Sequence, residues 1–288
     1  MKRLLIALLL LAFPAPAAAA PFGELPFRPV AGGAACLRPT GAPGELVRWY
    51  DGGAEVLAVQ PNGLVPVTRV PLGRGIACPV VASDANGAAI VAASDRGRLR
   101  VALREPAGAW GAPFTLAARD VGQAAVAISA RGDAVVAWTE GVGPREDGRV
   151  RVARRPGSGA FGSPETLDPS VSPSVFQSLE AGIDASGEAI VMFTGEGTRA
   201  RETVNVVIAP PGAPFGAPER LGQGSLDSPA LAVAADGRAL VTTSAYDGLE
   251  LYERPPGGRF GPRMILFEAS ANNMVIARRR LARARVDR

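Results

Sequence analysis

The sequence predicts an all-β fold, a β-propeller of about five four-stranded blades, from three observations. A glycine turn followed by a short apolar run occurs four times, at Gly87, Gly132, Gly187 and Gly237. A phrase of an aromatic residue, glycine and proline follows each turn, beginning at Trp110, Phe161, Phe215 and Phe260. The turn glycines lie 45, 55 and 50 residues apart, and a period near 50 with strand-like content is typical of a radial array of small sheets.

One repeat shows how a blade is built. Residues 124–128 are apolar, and 129–132 form a tight turn in which Gly132 supplies a backbone conformation that other residues resist. Residues 134–138 are apolar on both faces, 149–154 alternate between polar and apolar, and 165–167 form a short last strand. This pattern predicts four antiparallel strands, with small residues in the inner strands where the blades crowd together near the axis.

The chain before Gly87 can be divided in the same way, into strands at 33–37, 45–50, 54–59 and 64–68. It lacks the aromatic-Gly-Pro phrase, and terminal repeats are often atypical. Counting it gives five blades. Residues 21–30 and 272–288 remain, so six blades with one composite terminal blade is the alternative.

The first residues predict export. Lys2 and Arg3 precede an apolar run at 4–13 and a small-residue stretch at 14–20, as in a secretory signal peptide. Because Pro21 disfavours cleavage directly before it, we expect cleavage after Ala19. The run is too short to span a bilayer. The expected organisation is therefore a signal peptide at 1–19, a propeller at 20–266 and a basic closing strand or tail at 267–288, in a secreted or cell-envelope protein.

Composition excludes several kinds of chemistry. The chain has no histidine, which removes Ser-His, Cys-His and histidine-ligated metal sites. The net charge is +4 and no basic stripe is interleaved with aromatic residues, so nucleic-acid binding is not expected. We expect a monomer without a cofactor or transmembrane segment.

Loop lengths indicate which face varies. From turn glycine to phrase proline the repeats span 26, 32, 31 and 25 residues, and from phrase proline to the next turn glycine 19, 23 and 19. The differences fall between the second and third strands, at 139–147 and 195–203, and between blades, at 168–178. Both kinds of loop leave one side of an up-and-down blade. This side is the predicted functional face, unless the loops merely drifted in length.

The predicted face carries charged residues of both signs. Asp95 and Arg96 come from a shorter loop, and the candidate ligand-binding set is Glu140, Arg145, Glu146, Asp147, Glu196, Arg199, Arg201, Glu202 and Asp247. Such a rim suits a carbohydrate or protein partner, although mixed charge in loops is also ordinary solvated surface. The carboxylates of Glu140 and Glu196 could serve acid–base chemistry on a glycoside.

Two further signals concern metals and redox state. Asp84 and Asp184 in the glycine turns lack the additional oxygen ligands of a calcium loop, so we interpret them as turn formers that bind their own backbone. Cys36 and Cys78 are the only cysteines and hold equivalent places on the first strands of adjacent blades. An exported protein with two cysteines usually pairs them, so we predict a disulfide, the alternative being two free thiols.

The repeat phrases, a glycine turn leading to Trp138 and a later Phe161-Gly-Ser-Pro164, resemble those of secreted bacterial β-propeller repeat proteins, loosely grouped with sialidase-like propellers. The resemblance covers about residues 74–266 and is structural. Sialidases carry Ser-x-Asp-x-Gly-x-x-Trp turns between their third and fourth strands, whereas the glycine turns here join the first two. The resemblance therefore implies the fold without sialidase activity.

Three functions fit these observations: a secreted non-catalytic binding propeller, a glycan-active hydrolase of sialidase-like type, and a structural envelope protein. The absence of histidine and of a nucleophile motif favours binding. The basic tail could hold an anionic envelope polymer, or it could be a last strand followed by a solvated terminus.

Overall fold

The computed structural model describes residues 37–40, 44–50, 52–73, 78–84, 86–106, 108–141, 148–157, 159–171, 178–196, 202–224, 227–245 and 248–267. These residues contain twenty strands and no helix, and so no helix that could cross a membrane. In chain order the strands are β1 Leu37–Pro39, β2 Glu45–Tyr50, β3 Gly53–Gln60, β4 Gly63–Val70, β5 Val80–Ser83, β6 Ala89–Asp95, β7 Arg98–Arg104, β8 Phe114–Ala117, β9 Val121–Ile128, β10 Ala134–Glu140, β11 Gly148–Arg155, β12 Glu165–Val171, β13 Leu179–Ile183, β14 Ala189–Glu196, β15 Glu202–Ala209, β16 Glu219–Gly224, β17 Asp227–Val233, β18 Ala239–Ala245, β19 Gly248–Arg254 and β20 Met264–Phe267.

The strands form five antiparallel sheets of four, each in sequence order. Blade 1 contains β1–β4, blade 2 β5–β8, blade 3 β9–β12, blade 4 β13–β16 and blade 5 β17–β20. The four glycine turns join the first and second strands of blades 2–5, and their glycines have φ between 82° and 89°. The predicted propeller of five four-stranded blades is confirmed. The predicted signal peptide at 1–19 lies outside the described residues, as does the predicted tail at 267–288 except for Phe267, which ends β20.

In blades 2, 3 and 4 the second strand is buried on both faces. In β10, Val135 and Ala137 belong to a hydrophobic cluster shared with blade 4, whereas Val136 and Trp138 belong to a cluster shared with blade 2. Four such clusters join blades 1 and 2, 2 and 3, 3 and 4, and 4 and 5. Because both faces pack against neighbours, these strands are continuous apolar runs instead of alternating ones.

The inner strands are crowded, as their small residues predict. A Cβ at Gly182 in β13 would lie 2.2 Å from Val233 Cγ2 in β17 of the next blade. The outer strands are less regular, because the pairing of third with fourth strands shifts register in every blade. The sequence did not indicate these irregularities.

In blades 2, 3 and 5, an arginine at the end of the third strand binds the preceding blade. Arg254 donates to Gly258 O at 2.8 Å, to Gly237 O at 3.2 Å and to both carboxylate oxygens of Glu188 in blade 4 at 2.6 and 3.0 Å. Each such arginine therefore satisfies the carbonyl of its own turn glycine and pairs with a carboxylate across the blade boundary.

Blades 2 and 3 repeat this arrangement. Arg104 binds Gly87 O and Glu45 of blade 1, and Arg155 binds Gly132 O and Glu105 of blade 2. Blade 4 has the buried Ala209 at this position. There Phe215 N donates to Glu165 of blade 3 at 3.3 Å.

Blade 1 contains a buried carboxylate between two arginines. Glu55 is 1% exposed, accepts a hydrogen bond from Arg48, and accepts another from Arg69 Nε at 2.9 Å. Burial by itself raises the pKa of Glu55, but hydrogen bonds from Arg69 and Arg48 and their positive charges outweigh it. The pKa of Glu55 therefore lies below its ordinary value of 4.5.

Replacing Arg254 with alanine should lower the free energy of unfolding by about 3 kcal/mol or more, because it leaves Glu188 buried without its partner. The measurement is urea unfolding followed by tryptophan fluorescence. Arg238→Ala in the same blade is the matched control, since Arg238 forms an exposed pair with Asp236, and it should leave the midpoint nearly unchanged. Equal effects of the two substitutions would contradict the proposed role of the buried arginine.

Glu55→Gln should remove a stabilising contribution that depends on pH in a defined direction. Because the folded pKa of Glu55 is lowered, ionised Glu55 stabilises the fold fully above about pH 5, and this contribution disappears as the pH falls through the folded pKa. The difference in unfolding free energy between wild type and variant, measured from about pH 3 to pH 7, should be constant at high pH and shrink below about pH 4.5. A difference that grows on acidification would show that the sign is wrong.

Candidate functional site

The variable loops do leave one side of the blades. Gly148, which begins the third strand of blade 3, pairs with Val171, which ends its fourth strand. In blade 4, Glu202 pairs with Glu196 on one side and with Gly224 on the other. The connections between second and third strands therefore emerge beside the connections between blades. We call this side the loop-rich face, and the side with the glycine turns the turn face.

Most of the predicted binding residues lie outside the described part of the chain. These are Arg145, Glu146, Asp147, Arg199, Arg201 and Asp247. The backbones of Glu196 and Glu202 form the last pair of the β14–β15 ladder. Glu140 is the one member of the set whose side chain the structure describes.

Glu140 forms an ion pair within its own blade. Its Oε2 accepts from Arg151 Nη1 at 3.1 Å, and both side chains are largely buried, with 24% and 21% exposed. Arg151 also donates to the carbonyl oxygens of Glu165 and Pro164. The carboxylate of Glu140 is thus neutralised by an arginine that links the third strand to the aromatic-Gly-Pro phrase.

Three hydroxyl groups near the loop-rich face form hydrogen bonds to the main chain of inner strands. Ser94, Thr139 and Thr194 occupy the same position in the second strands of blades 2, 3 and 4. Ser94 Oγ donates to Val121 O at 2.9 Å, Thr139 Oγ1 accepts from Gln123 N at 2.9 Å, and Thr194 Oγ1 accepts from Ser178 N at 3.1 Å. These bonds fix the start of an inner strand directly beneath each loop, so the loops are carried by a rigid base.

The boundary between blades 2 and 3 carries backbone strain on this face. Arg96 and Asp120 are exposed non-glycine residues with φ of 52° and 53°, a conformation that L-residues rarely adopt. Hydrogen bonds hold them, since Val121 N donates to Gly97 O at 3.0 Å and Gly141 N to Asp120 O at 2.9 Å. Strained residues of this kind are enriched at functional sites. The sequence singled out Arg96 but did not indicate Asp120.

The described surface of the loop-rich face is polar. Its exposed side chains include Arg96, Arg98, Arg119, Asp120 and Arg149. The exposed large apolar residues of the described chain lie instead on the β3–β4 hairpin and the start of β20, towards the turn face: Val59, Leu64, Val65, Val67, Met264 and Ile265. The loop-rich face therefore suits a hydrophilic ligand.

A groove of about 470 Å³ lies between blades 4 and 5, away from the loop-rich face. Its lining includes β16, the segment 260–263, and Glu250 and Tyr252 of β19. Glu250 is 2% exposed, and its oxygens accept from Tyr252 Oη at 2.8 Å and Arg263 Nη1 at 2.7 Å. The buried carboxylate of Glu250 therefore has its hydrogen-bond partners within the protein. The groove was not predicted from the sequence, because strands about 30 residues apart form it.

The turn aspartates bind their own backbone, as predicted. Asp84 Oδ1 accepts from Asn86 N at 2.9 Å and Ala88 N at 2.8 Å, and Asp184 Oδ1 accepts from Ser186 N and Glu188 N at 2.8 Å. Among the described residues, no group of three or more histidine, cysteine, aspartate or glutamate side chains could hold a metal ion.

Cys78 lies just before β5, so the expectation that it belongs to a first strand is wrong by two residues. Cys36 lies outside the described residues. The strands that follow the two cysteines are neighbours, since Ser83 N donates to Thr40 O at 3.0 Å. The disulfide remains a prediction.

No protein-family model matches this sequence, and no curated protein matches it. Among solved structures, a protein of unknown function from Dyadobacter fermentans is 14% identical with a TM-score of 0.48, the match covering 78% of this chain and 80% of that one. A Hadza microbial sialidase is 14% identical with a TM-score of 0.46, covering 78% of this chain and 54% of the sialidase.

A sialidase from Trypanosoma rangeli, in complex with the inhibitor DANA, is 13% identical with a TM-score of 0.41, covering 70% of this chain and 39% of that one. This chain thus spans about half or less of the length of these two sialidases. Similarity at this level carries no information on activity. The five four-stranded antiparallel sheets themselves make the protein a β-propeller.

Proposed function

We propose that this protein is a secreted, non-catalytic binding propeller that recognises a carbohydrate through the loop-rich face. The observation that carries the proposal is that a hydrogen-bonded base supports loops of varying length on this side, whereas the connections on the turn face keep the same length throughout blades 2–5. The turn face, by contrast, keeps short glycine turns whose carbonyls are occupied by structural arginines. Variation on a fixed scaffold is the usual arrangement of a recognition surface.

Binding is favoured over turnover by the state of Glu140. A general acid or base must be able to exchange a proton with its substrate, and Glu140 is instead paired with Arg151. The chain contains no histidine that could replace it. The glycan-hydrolase alternative would therefore need other carboxylates, of which Glu196 is the candidate from the sequence.

A carbohydrate is favoured over a protein partner by the polarity of the face. Protein interfaces usually have an apolar, aromatic-rich centre, whereas the exposed side chains described on this face include four arginines and an aspartate. Charged and planar polar side chains supply the directional hydrogen bonds that sugar hydroxyls require. A purely structural envelope role predicts no ligand at all.

Binding to a glycan array by the purified full chain tests the proposal. Arg145→Ala and Arg199→Ala should weaken binding to the best glycan about fivefold or more, while changing the free energy of unfolding by only about 0.5 kcal/mol. Arg259→Ala, an exposed substitution on the turn face, is the matched control and should bind like wild type.

Three results would overturn the proposal. Capture of a protein partner at the same arginines, with no glycan bound on the array, would support the protein alternative. Loss of binding in Arg259→Ala alone would place the site on the turn face. Hydrolysis of a glycan panel that disappears in the double variant Glu140→Gln, Glu196→Gln would establish an enzyme.

Export is part of the same proposal, and it predicts that the two cysteines are oxidised to a disulfide. We expect Cys36 and Cys78 to form a disulfide in the exported chain, because each directly precedes the first strand of neighbouring blades. Intact-mass analysis should show cleavage after Ala19, and alkylation under denaturing conditions should label no thiol unless a reductant is added. Two labelled cysteines without reductant would contradict the disulfide.

A further inference from the structure

Exposed arginines gather where blades 2 and 3 meet on the loop-rich face. Arg96 lies in the turn between β6 and β7, and Arg119 lies in the connection between β8 and β9. These two segments are in contact, because a Cβ added at Gly97 would lie 3.1 Å from Asp120 N. In addition, Val121 N donates to Gly97 O at 3.0 Å. The backbone therefore holds the two arginines on adjoining segments of the surface.

Blade 3 adds a third arginine at this boundary. Arg149 pairs with Glu140 in the β10–β11 ladder, and Glu140 lies two residues after Trp138, which packs towards blade 2. Because residues two apart in a strand share a face, as do directly paired residues, Arg149 is on the face of blade 3 that is turned towards blade 2. Gly141 N donates to Asp120 O at 2.9 Å, which joins the end of β10 to the same connection. We call the three exposed side chains the arginine cluster: Arg96, Arg119 and Arg149.

The described carboxylates near the arginine cluster leave an excess of positive charge. Asp120 is exposed on the connection itself and offsets one arginine. Glu140 is already neutralised by Arg151 at 3.1 Å. Asp95 lies against blade 1 instead, since a Cβ at Gly73 would lie 2.4 Å from its Oδ2. Among the described side chains, three arginines therefore face one free aspartate at this boundary.

Arginines elsewhere in the structure support the scaffold. Arg104, Arg155 and Arg254 pair with carboxylates across blade boundaries. Within the described part of the chain, the arginine cluster forms no ion pair of this kind. Its charges are exposed to solvent, so they are available to attract and hold an anion.

The backbone conformation of Arg96 also points to a ligand. Arg96 and Gly97 form the two-residue turn between the paired residues Asp95 and Arg98, with φ of 52° and 77°. Asparagine, aspartate or glycine usually occupies the first position of such a turn, because most side chains are strained at positive φ. The side chain of Arg96 has no hydrogen-bond partner among the described residues that would offset this strain. A strained, exposed arginine is better explained by recognition than by stability.

We propose that the arginine cluster binds acidic groups of the ligand, so that the carbohydrate recognised by this protein is an acidic polysaccharide. A guanidinium group donates paired hydrogen bonds to a carboxylate or a similar oxyanion. Uronic acids carry such a group as carboxylate and sulfated sugars carry it as sulfate. Three guanidinium groups on separate segments suit successive acidic groups of a polymer. The inference rests on the proposed carbohydrate function and names its ligand class.

Isothermal titration of the full chain with polygalacturonate, dextran sulfate and neutral dextran tests the proposal. The wild type should bind at least one acidic polymer and not dextran. Binding of polygalacturonate identifies carboxylate recognition, and binding of dextran sulfate identifies sulfate recognition. Raising the salt concentration from about 50 to about 500 mM should weaken this binding about tenfold or more, because salt screens exposed charges.

Two double variants with the same change in net charge show whether the arginine cluster is the site. Arg96→Gln with Arg119→Gln should weaken binding to the preferred polymer about tenfold or more. Arg238→Gln with Arg259→Gln is the matched control, because it removes two arginines from the turn face. This control should bind within about twofold of wild type, since net charge alone then changes.

Four results would overturn the proposal. Equal losses in the two double variants would show that net charge decides affinity. Equally tight binding of duplex DNA would show a response to any polyanion. Binding of a neutral glycan that is indifferent to salt and to Arg96→Gln with Arg119→Gln would refute the acidic ligand and leave the proposed function intact. Failure to bind any glycan, acidic or neutral, would refute both.

Arg96→Gly separates recognition from stability. Glycine adopts positive φ without strain, so this variant should raise the melting temperature by about 2 °C. It should nevertheless weaken binding to the preferred polymer about threefold or more, because one guanidinium group is lost. Unchanged affinity in a more stable variant would show that the strained arginine does not serve the ligand, and the proposal would fail.

Discussion

Packing of the second strands of blades 2, 3 and 4 between two neighbouring sheets is the constraint on which this structure depends. In blade 3, alternate residues of β10 enter two different hydrophobic clusters. Each large side chain buried in this way contributes on the order of 2 kcal/mol. A shift of one residue in register would exchange the two faces and mismatch both neighbours at once. The apolar second strands therefore fix the order and register of the blades.

Close packing of the sheets buries turn carbonyls between blades, and arginine side chains supply their hydrogen bonds. Arg104, Arg155 and Arg254 each satisfy a turn-glycine carbonyl and a carboxylate of the preceding blade. A planar guanidinium with five donors can serve several acceptors that lie in different blades. These arginines belong to the turn face, which leaves the loop-rich face free of this structural requirement.

The candidate site depends on this difference between the two faces: the structural arginines lie on the turn face, and the variable loops lie on the other. On the loop-rich face, hydroxyl groups of the second strands hold the inner strands by hydrogen bonds to the main chain, so loop length can change without disturbing the blades. Glu140 illustrates why a charged residue near a loop is not by itself a catalytic group. Its distance of 3.1 Å from Arg151 ties it to the scaffold, although its position in the sequence resembles that of a free rim residue.

Much of the architecture followed from the sequence because it rests on local periodicity. The repeated glycine turns, the apolar second strands and the aromatic-Gly-Pro phrases predicted four strands per blade and five blades, and each of these is observed. The same local argument identified the turn aspartates and the side on which the variable loops emerge. Strand boundaries were less accurate, since β9 and β11 begin earlier than the apolar pattern suggests.

Ion pairs between blades could be decided only by the tertiary structure, because they join distant residues, as Arg254 and Glu188 do across 66 positions. Within blade 1, the burial of Glu55 between Arg48 and Arg69 likewise depends on how the strands pair. The sequence shows which residues are charged, but their neighbours depend on the twist and register of whole sheets. For this reason the sequence determined the blades and their order, whereas only the folded chain decided which charges support the scaffold and which groove lies between blades 4 and 5.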